Sequence, residues 1–158
     1  MRSCREKIKE REELRHVVEG LKKQGQRIVF TNGCFDILHQ GHVFYLEEAR
    51  RQGDCLIVGV NTDSSIKEIK EEGRPIIPQE GRMTVLAALE AVDYVVPFDE
   101  PDPFALISLL RPHILVKGGD WDQEEVVGRE LVEQTIVVPY IAGMSTSGII
   151  EAILQRYS

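Results

Sequence analysis

In the first 25 residues, Leu14, Val17, Val18 and Leu21 recur at helical spacing among charged neighbours, and Gly25 offers a C-terminal stop. The spacing predicts a leading amphipathic helix over residues 5–24. From residue 27 the pattern changes. Short β-branched apolar runs occupy 27–31, 55–60, 93–97, 113–117 and 135–139, and each reads as a strand. Between and after them, helical patterns fall at 42–52, 62–70, 80–91, 102–111, 123–133 and 146–157. The strands are nearly continuous in apolar character, as expected when helices cover both faces of a parallel sheet. Strand–helix alternation with right-handed crossovers predicts a doubly wound α/β fold. Residues 71–79, with one Gly and two Pro, break the periodicity and read as a long loop. No linker or repeat interrupts the pattern, so the expected organisation is one domain over 1–158, with the leading helix in 1–26 and an α/β body in 27–158.

Ligands of such sheets bind beyond the carboxyl ends of the strands, where the strand order reverses. Two post-strand loops stand out, 32–42 and 117–122. The first contains His39-Gln-Gly-His42 at the opening of a helix. Histidines three apart share one helix face, Gly41 permits close backbone approach, and a helix N-terminus offers free N–H groups with partial positive charge. That combination suits phosphate oxygens. A zinc site built from Cys34, Asp36, His39 and His42 matches no structural ligand spacing. Nothing marks Cys34 as an activated thiol.

A second phosphate element is the hydroxyl run Ser145-Thr-Ser147 at the start of the last helix, where simple N-capping is the competing role. Lys117 ends an apolar strand, and from there a long cation reaches into a cleft. Asp36, Asp63 and Asp120 follow the first, second and fourth strands and are candidates for sugar hydroxyls or a metal ion; Asp63 equally suits a helix cap. Trp121 offers a stacking face or a buried ring. Lys67, Lys70 and Arg74 lie in or near the long loop, but residues 61–82 hold four basic and five acidic side chains and form no basic patch.

The whole chain has 158 residues and a formal charge of −7. Residues 1–26 carry eight basic and five acidic side chains, so the rest of the chain stands at −10. So acidic a body argues against nucleic acid or an anionic membrane as partner, because both need clustered Lys and Arg. Small anions must then be held by a few convergent cations and helix N-termini. Three cysteines without C-x-x-C spacing argue against a disulfide framework or zinc ribbon, and no apolar run approaches the length of a bilayer span. A cytoplasmic protein is expected. Neither G-x-G-x-x-G after the first strand nor G-x-x-x-x-G-K-[ST] is present.

The stretch Thr31-Asn-Gly-Cys-Phe-Asp-Ile-Leu-His-Gln-Gly-His42 resembles the signature of the H-x-G-H nucleotidyltransferase superfamily. With Arg74-Pro, Val85-Leu-Ala-Ala-Leu89, Val95-Val-Pro-Phe-Asp-Glu100 and Leu115-Val-Lys-Gly-Gly-Asp120, the chain is most similar to the adenylyltransferase domain of ADP-heptose synthesis. The resemblance implies a five-stranded parallel sheet of order 3-2-1-4-5, and transfer of AMP from ATP to D-glycero-D-manno-heptose 1-phosphate with release of pyrophosphate. Mg²⁺ is expected to enter mainly through the phosphates, and a homodimer is allowed. It implies catalytic roles for His39, His42, Lys117 and Arg82, the last facing the phosphates. Nucleotide contacts fall on Asn32, Gly33, Cys34, Phe35, Gly41, Ser145, Thr146 and Ser147. Sugar-phosphate contacts fall on Asp36, Asp63, Lys70, Arg74, Gly119, Asp120 and Trp121. In many bacteria this domain is fused behind a sugar kinase, and standing alone it implies a separate kinase and phosphatase. The glycerol-3-phosphate cytidylyltransferases share the skeleton, so CDP-glycerol synthesis is the alternative reaction, and a nucleotide-binding module without turnover is the alternative class.

Overall fold

The computed structural model describes residues 1–119 and 122–158; Asp120 and Trp121 lie outside the described residues. Five parallel strands, β1 Ile28–Gly33, β2 Cys55–Asn61, β3 Tyr94–Phe98, β4 Ile114–Gly118 and β5 Gln134–Val138, form one sheet of order β3-β2-β1-β4-β5. The order reverses between β1 and β4, where the two strands lead into their loops side by side.

Side-chain alternation divides the strands between two apolar layers. Val29, Leu56, Val58, Val95, Ile114 and Val116 pack on one face with Leu46 and Ala49 of α3 (Gln40–Arg50) and Leu86 and Ala87 of α5 (Gln79–Ala88). Ile28, Phe30, Ile57, Val96, Phe98 and Leu115 pack on the other with Leu14 and Val18 of α2 (Arg11–Lys23) and Leu106, Ile107 and Leu110 of α6 (Phe104–Leu110). Burial on both faces is the physical reason the strands read as unbroken apolar runs. The chain also contains α1 (Cys4–Lys7), α4 (Asp63–Ile69) and α7 (Thr146–Tyr157).

Two expected elements differ. The leading helix is interrupted: α1, opened by a Ser3–Glu6 capping box, ends before Ile8, which pairs with Val95 on the open edge of β3, and Lys9 N–H donates to Val95 O at 2.9 Å. An edge strand offers unpaired backbone groups, and satisfying them outweighs one more helical turn. The pattern at 123–133 forms two 3₁₀ turns, Gln123–Glu125 and Arg129–Leu131, in place of one helix. Gly128 between them has φ +86°, and a Cβ there would lie 2.8 Å from Ile107 Cδ1. Smaller shifts matter for the cleft. β1 continues to Gly33 and β2 to Asn61, so both carry polar residues to the carboxyl edge on rigid strand backbone.

Candidate active site

A cleft of about 1260 Å³ opens at the carboxyl edge between β1 and β4. Its floor comes from Asn32 and Gly33 of β1 and from Cys34, Phe35 and Asp36 beyond it, and one wall from His39, Gly41 and His42 of α3. Lys117 of β4 lines the same cleft. Lys70 and Arg74 enter from the loop after α4, and Ser145, Thr146 and Ser147 line the start of α7. Segments separated by a hundred residues thus meet at the topological switch point.

The turn after β1 is tight. Phe35 adopts a left-handed backbone (φ 49°), costly for a residue with a Cβ. Its buried ring packs 5.6 Å from the His42 ring. His39 caps α3, and the two imidazoles lie 3.9 Å apart, tilted by 36°. A Cβ on Gly41 would come within 3.0 Å of the His39 ring and 3.2 Å of Met144 Cβ, so any larger residue would push on both neighbours. His39 N–H donates to His42 Nδ1 at 3.3 Å, which leaves Nε2 to carry the proton of the neutral ring. Burial, reinforced by His39, pushes His42 down to about 4, and burial also lowers His39. Both rings are therefore neutral hydrogen-bonding groups near pH 7. The buried Nδ1 of His39 has no hydrogen-bond partner among the described residues.

The beginning of α7 lies beside this pair. Thr146 Oγ1 donates to Ile37 O at 3.4 Å, and Gln40 Nε2 approaches Met144 Sδ at 3.3 Å. Ser145 Oγ accepts from Gly148 N–H at 3.0 Å, so this hydroxyl serves as the cap while its own hydrogen remains able to donate. Two helix N-termini, α3 and α7, thereby converge on one wall, an arrangement that favours anions. Burial pushes Lys117 below its ordinary value, and it also pushes the Cys34 thiol up, away from a reactive thiolate.

Four expected contacts have other surroundings. Arg82, only 1% exposed, does not line the cleft. Its Nε donates to Ile77 O at 2.9 Å, Nη1 to Cys34 O at 2.6 Å and Asn61 O at 2.8 Å, and Nη2 to Asp63 Oδ1 at 2.8 Å. The guanidinium ties together the ends of β1 and β2, the long loop and α4, in place of the expected exposure toward the cleft. Asp63 is the partner in that pair and lies off the cleft lining, while the neighbouring Thr62 caps α4. Asp36 lines the floor, but its carboxylate is filled by Arg74 Nε (2.6 Å) and the backbone N–H groups of Ile76 (2.9 Å) and Ile77 (2.8 Å). Burial raises its pKa, yet these donors outweigh that and hold it below the ordinary carboxylate range. Gly119 is also outside the lining; its φ of +109° and a would-be Cβ 2.6 Å from the Tyr140 ring require glycine there. The expectations for Asp120 and Trp121 fall outside the described residues.

Tyr45 and Asn61 line the cleft without having been expected to. Tyr45 O–H donates to Val116 O at 3.0 Å and shares a hydrogen bond with Thr31 Oγ1, joining α3 to β1 and β4 at the switch point. Its place three residues after His42, on the same helix face, is the signal that could have found it. Asn61 donates to Ser65 Oγ at 2.9 Å. Nothing local distinguishes it from any strand-terminal asparagine. No described helix is long and apolar enough to cross a membrane.

Among known proteins, the bifunctional protein HldE of Pelobacter propionicus is 53% identical over 156 residues, covering 96% of this chain and 32% of its own length. The bifunctional protein HldE of Aliarcobacter butzleri is 52% identical over 149 residues, covering 94% and 31%. The chain spans about a third of the length of these curated relatives. A lipopolysaccharide core biosynthesis protein from Thermoplasma volcanium superposes with TM-score 0.65 at 28% identity, over 74% of this chain and 99% of that one. A pantoate–β-alanine ligase from Francisella tularensis superposes with TM-score 0.61 at 16% identity, over 94% and 78%, a likeness of fold alone. The cytidylyltransferase-like family model matches residues 30–152, from the strand before the paired histidines to the helix whose start faces them, and the chain belongs to that family.

Proposed function

We propose that the chain is a nucleotidyltransferase that moves AMP from ATP to D-glycero-D-manno-heptose 1-phosphate, releasing pyrophosphate. The observation that carries the reaction class is the meeting of His39, His42 and the start of α7 on one wall of a cleft that Lys117 also lines. The choice of acceptor is supported by the resemblance to the adenylyltransferase domain of ADP-heptose synthesis and by the identity to the HldE proteins.

An oxygen of the sugar 1-phosphate attacks the α-phosphorus, the bond from that phosphorus to the bridging oxygen breaks, and pyrophosphate leaves with the electron pair. The nucleophile is already an anion, so no base is required to deprotonate it. Catalysis then consists of holding the two substrates in line and stabilising spreading negative charge. His42 donates from Nε2 as a neutral ring. Lys117 supplies a point charge, and the amides of α3 and α7 with the Ser145 hydroxyl receive the phosphates. Among the described residues no group of three His, Cys, Asp or Glu side chains is arranged to hold a metal ion, and the Asp36 carboxylate is filled by protein donors. The described residues do not fit a Mg²⁺ held by protein; it enters bound to the triphosphate as part of the substrate, and no step depends on it.

Pyrophosphate release measured with ATP and CTP, each against heptose 1-phosphate and glycerol 3-phosphate, tests the reading. Turnover is expected with ATP and heptose 1-phosphate. Turnover with CTP alone, or with no pair, would overturn it.

A further inference from the structure

Residues 70–78 form a strap along the cleft, and its attachment is unusual in kind. No residue from 67 to 78 is buried, so apolar packing does little to hold it. Ile76 is half exposed. Among the described residues, apart from Pro78 O, which accepts from Arg82 N–H at 3.1 Å in the first turn of α5, the strap's hydrogen bonds to the rest of the chain beyond α4 run to two side chains. Asp36, whose side chain is fully buried, accepts from Arg74 Nε and from the N–H groups of Ile76 and Ile77; Arg82 donates to Ile77 O. The Ile77 peptide neighbourhood is thus gripped on both sides, by a carboxylate at its N–H and a guanidinium at its C=O. Lys70 and Arg74 of this strap line the cleft. Arg74 uses Nε on Asp36 and Nη1 on Glu71, which leaves Nη2 for a ligand.

We infer that Asp36 is a positioning residue for the sugar phosphate: it touches neither substrate nor metal, but clasps the 70–78 strap so that Lys70 and Arg74 face the acceptor's phosphate. The inference rests on the reaction proposed above: with the triphosphate received by the starts of α3 and α7, the cations of the strap are left for the acceptor's phosphate. A carboxylate whose side chain is fully buried and whose two oxygens already accept from three protein donors has little left for a sugar hydroxyl. Because the strap lacks buried apolar side chains, losing the carboxylate releases it without unpacking the core.

Two variants separate the contributions. Asp36→Asn keeps an oxygen for the Ile76 and Ile77 amides but turns an NH₂ group toward Arg74 Nε, donor against donor. Asp36→Ala removes every bond, and the near-isosteric Asp36→Asn covers the case in which the alanine variant folds poorly. Hydrogen–deuterium exchange on the ligand-free 158-residue chain reads the clasp directly. In Asp36→Ala the Ile76 and Ile77 amides are expected to exchange roughly 10- to 100-fold faster, the loss of charge-assisted bonds, and in Asp36→Asn by less. Steady-state kinetics with ATP and heptose 1-phosphate read the consequence: in both variants KM for the sugar phosphate rises about 10-fold or more, while KM for ATP stays within about 3-fold and kcat recovers at saturating acceptor.

Unchanged exchange with a raised acceptor KM would make Asp36 a direct ligand and overturn the inference. Faster exchange with both KM values unchanged would overturn it too, because the strap would then not present the acceptor. Absence of turnover in the unmodified chain would remove the proposed reaction, and the exchange rates would still decide whether the clasp exists.

Discussion

Replacing Arg82 by alanine separates a structural role from a phosphate-facing one. Its side chain is wholly excluded from solvent, while that of its partner Asp63 is 35% exposed. The replacement strands the carbonyls of Cys34, Asn61 and Ile77 together with the Asp63 carboxylate. Leaving one buried acceptor unmet costs about 1–3 kcal/mol. Breaking a buried ion pair from one side costs about 3–5 kcal/mol, and because these losses share one group they do not add fully. A destabilisation of about 3–5 kcal/mol follows, a large share of the roughly 5–15 kcal/mol typical of a domain. For a chain of this length that lowers Tm by roughly 6–20 °C. Arg82→Lys should fall between, since one ammonium cannot reach acceptors on four separate segments. Thermal and urea unfolding of the ligand-free chain, with the urea slope checked for constancy, measures the effect. An alanine variant that melts within about 2 °C of the parent yet releases no pyrophosphate would refute the reasoning and return Arg82 to the phosphates.

Other outcomes follow from the cleft. His42→Ala should fold and lose about 10²–10³ in kcat, the usual cost of one preorganised donor; unchanged turnover would remove the residue from the mechanism. In the ligand-free chain the His42 ring should titrate near pH 4 by NMR, and a midpoint above about 6, close to a free imidazole, would contradict its burial. Because the folded ring resists a proton that the unfolded ring accepts near pH 6.5, its contribution to stability is present above that pH and declines as the pH falls toward about 4. Tyr45→Phe removes the bonds to Thr31 and Val116 O and should cost about 1–3 kcal/mol in urea unfolding; a neutral result would show that α3 is not fastened there.

The sequence by itself determined what short-range chemistry can specify. Apolar runs buried on both sides announced the five strands, the His39–His42 spacing announced a helix start with both rings on the cleft, and the hydroxyl run announced the second helix N-terminus. Each signal lies within a dozen contiguous residues, where backbone periodicity and capping preference act directly. Tertiary structure alone decided the rest. Ile8 leaves its helix because the β3 edge some ninety residues away has unpaired backbone, and Gly128 turns where Ile107 allows no side chain. Arg82 and Asp36 carry the residue types of ligand contacts. Their charges are instead spent on carbonyls and amides brought to them by β2 and the 70–78 strap. A charged side chain at the end of a strand has the same local pattern whether it meets a substrate or a peptide group. Only the packing of sequence-distant segments, which sets the partner available once water is excluded, distinguishes the two.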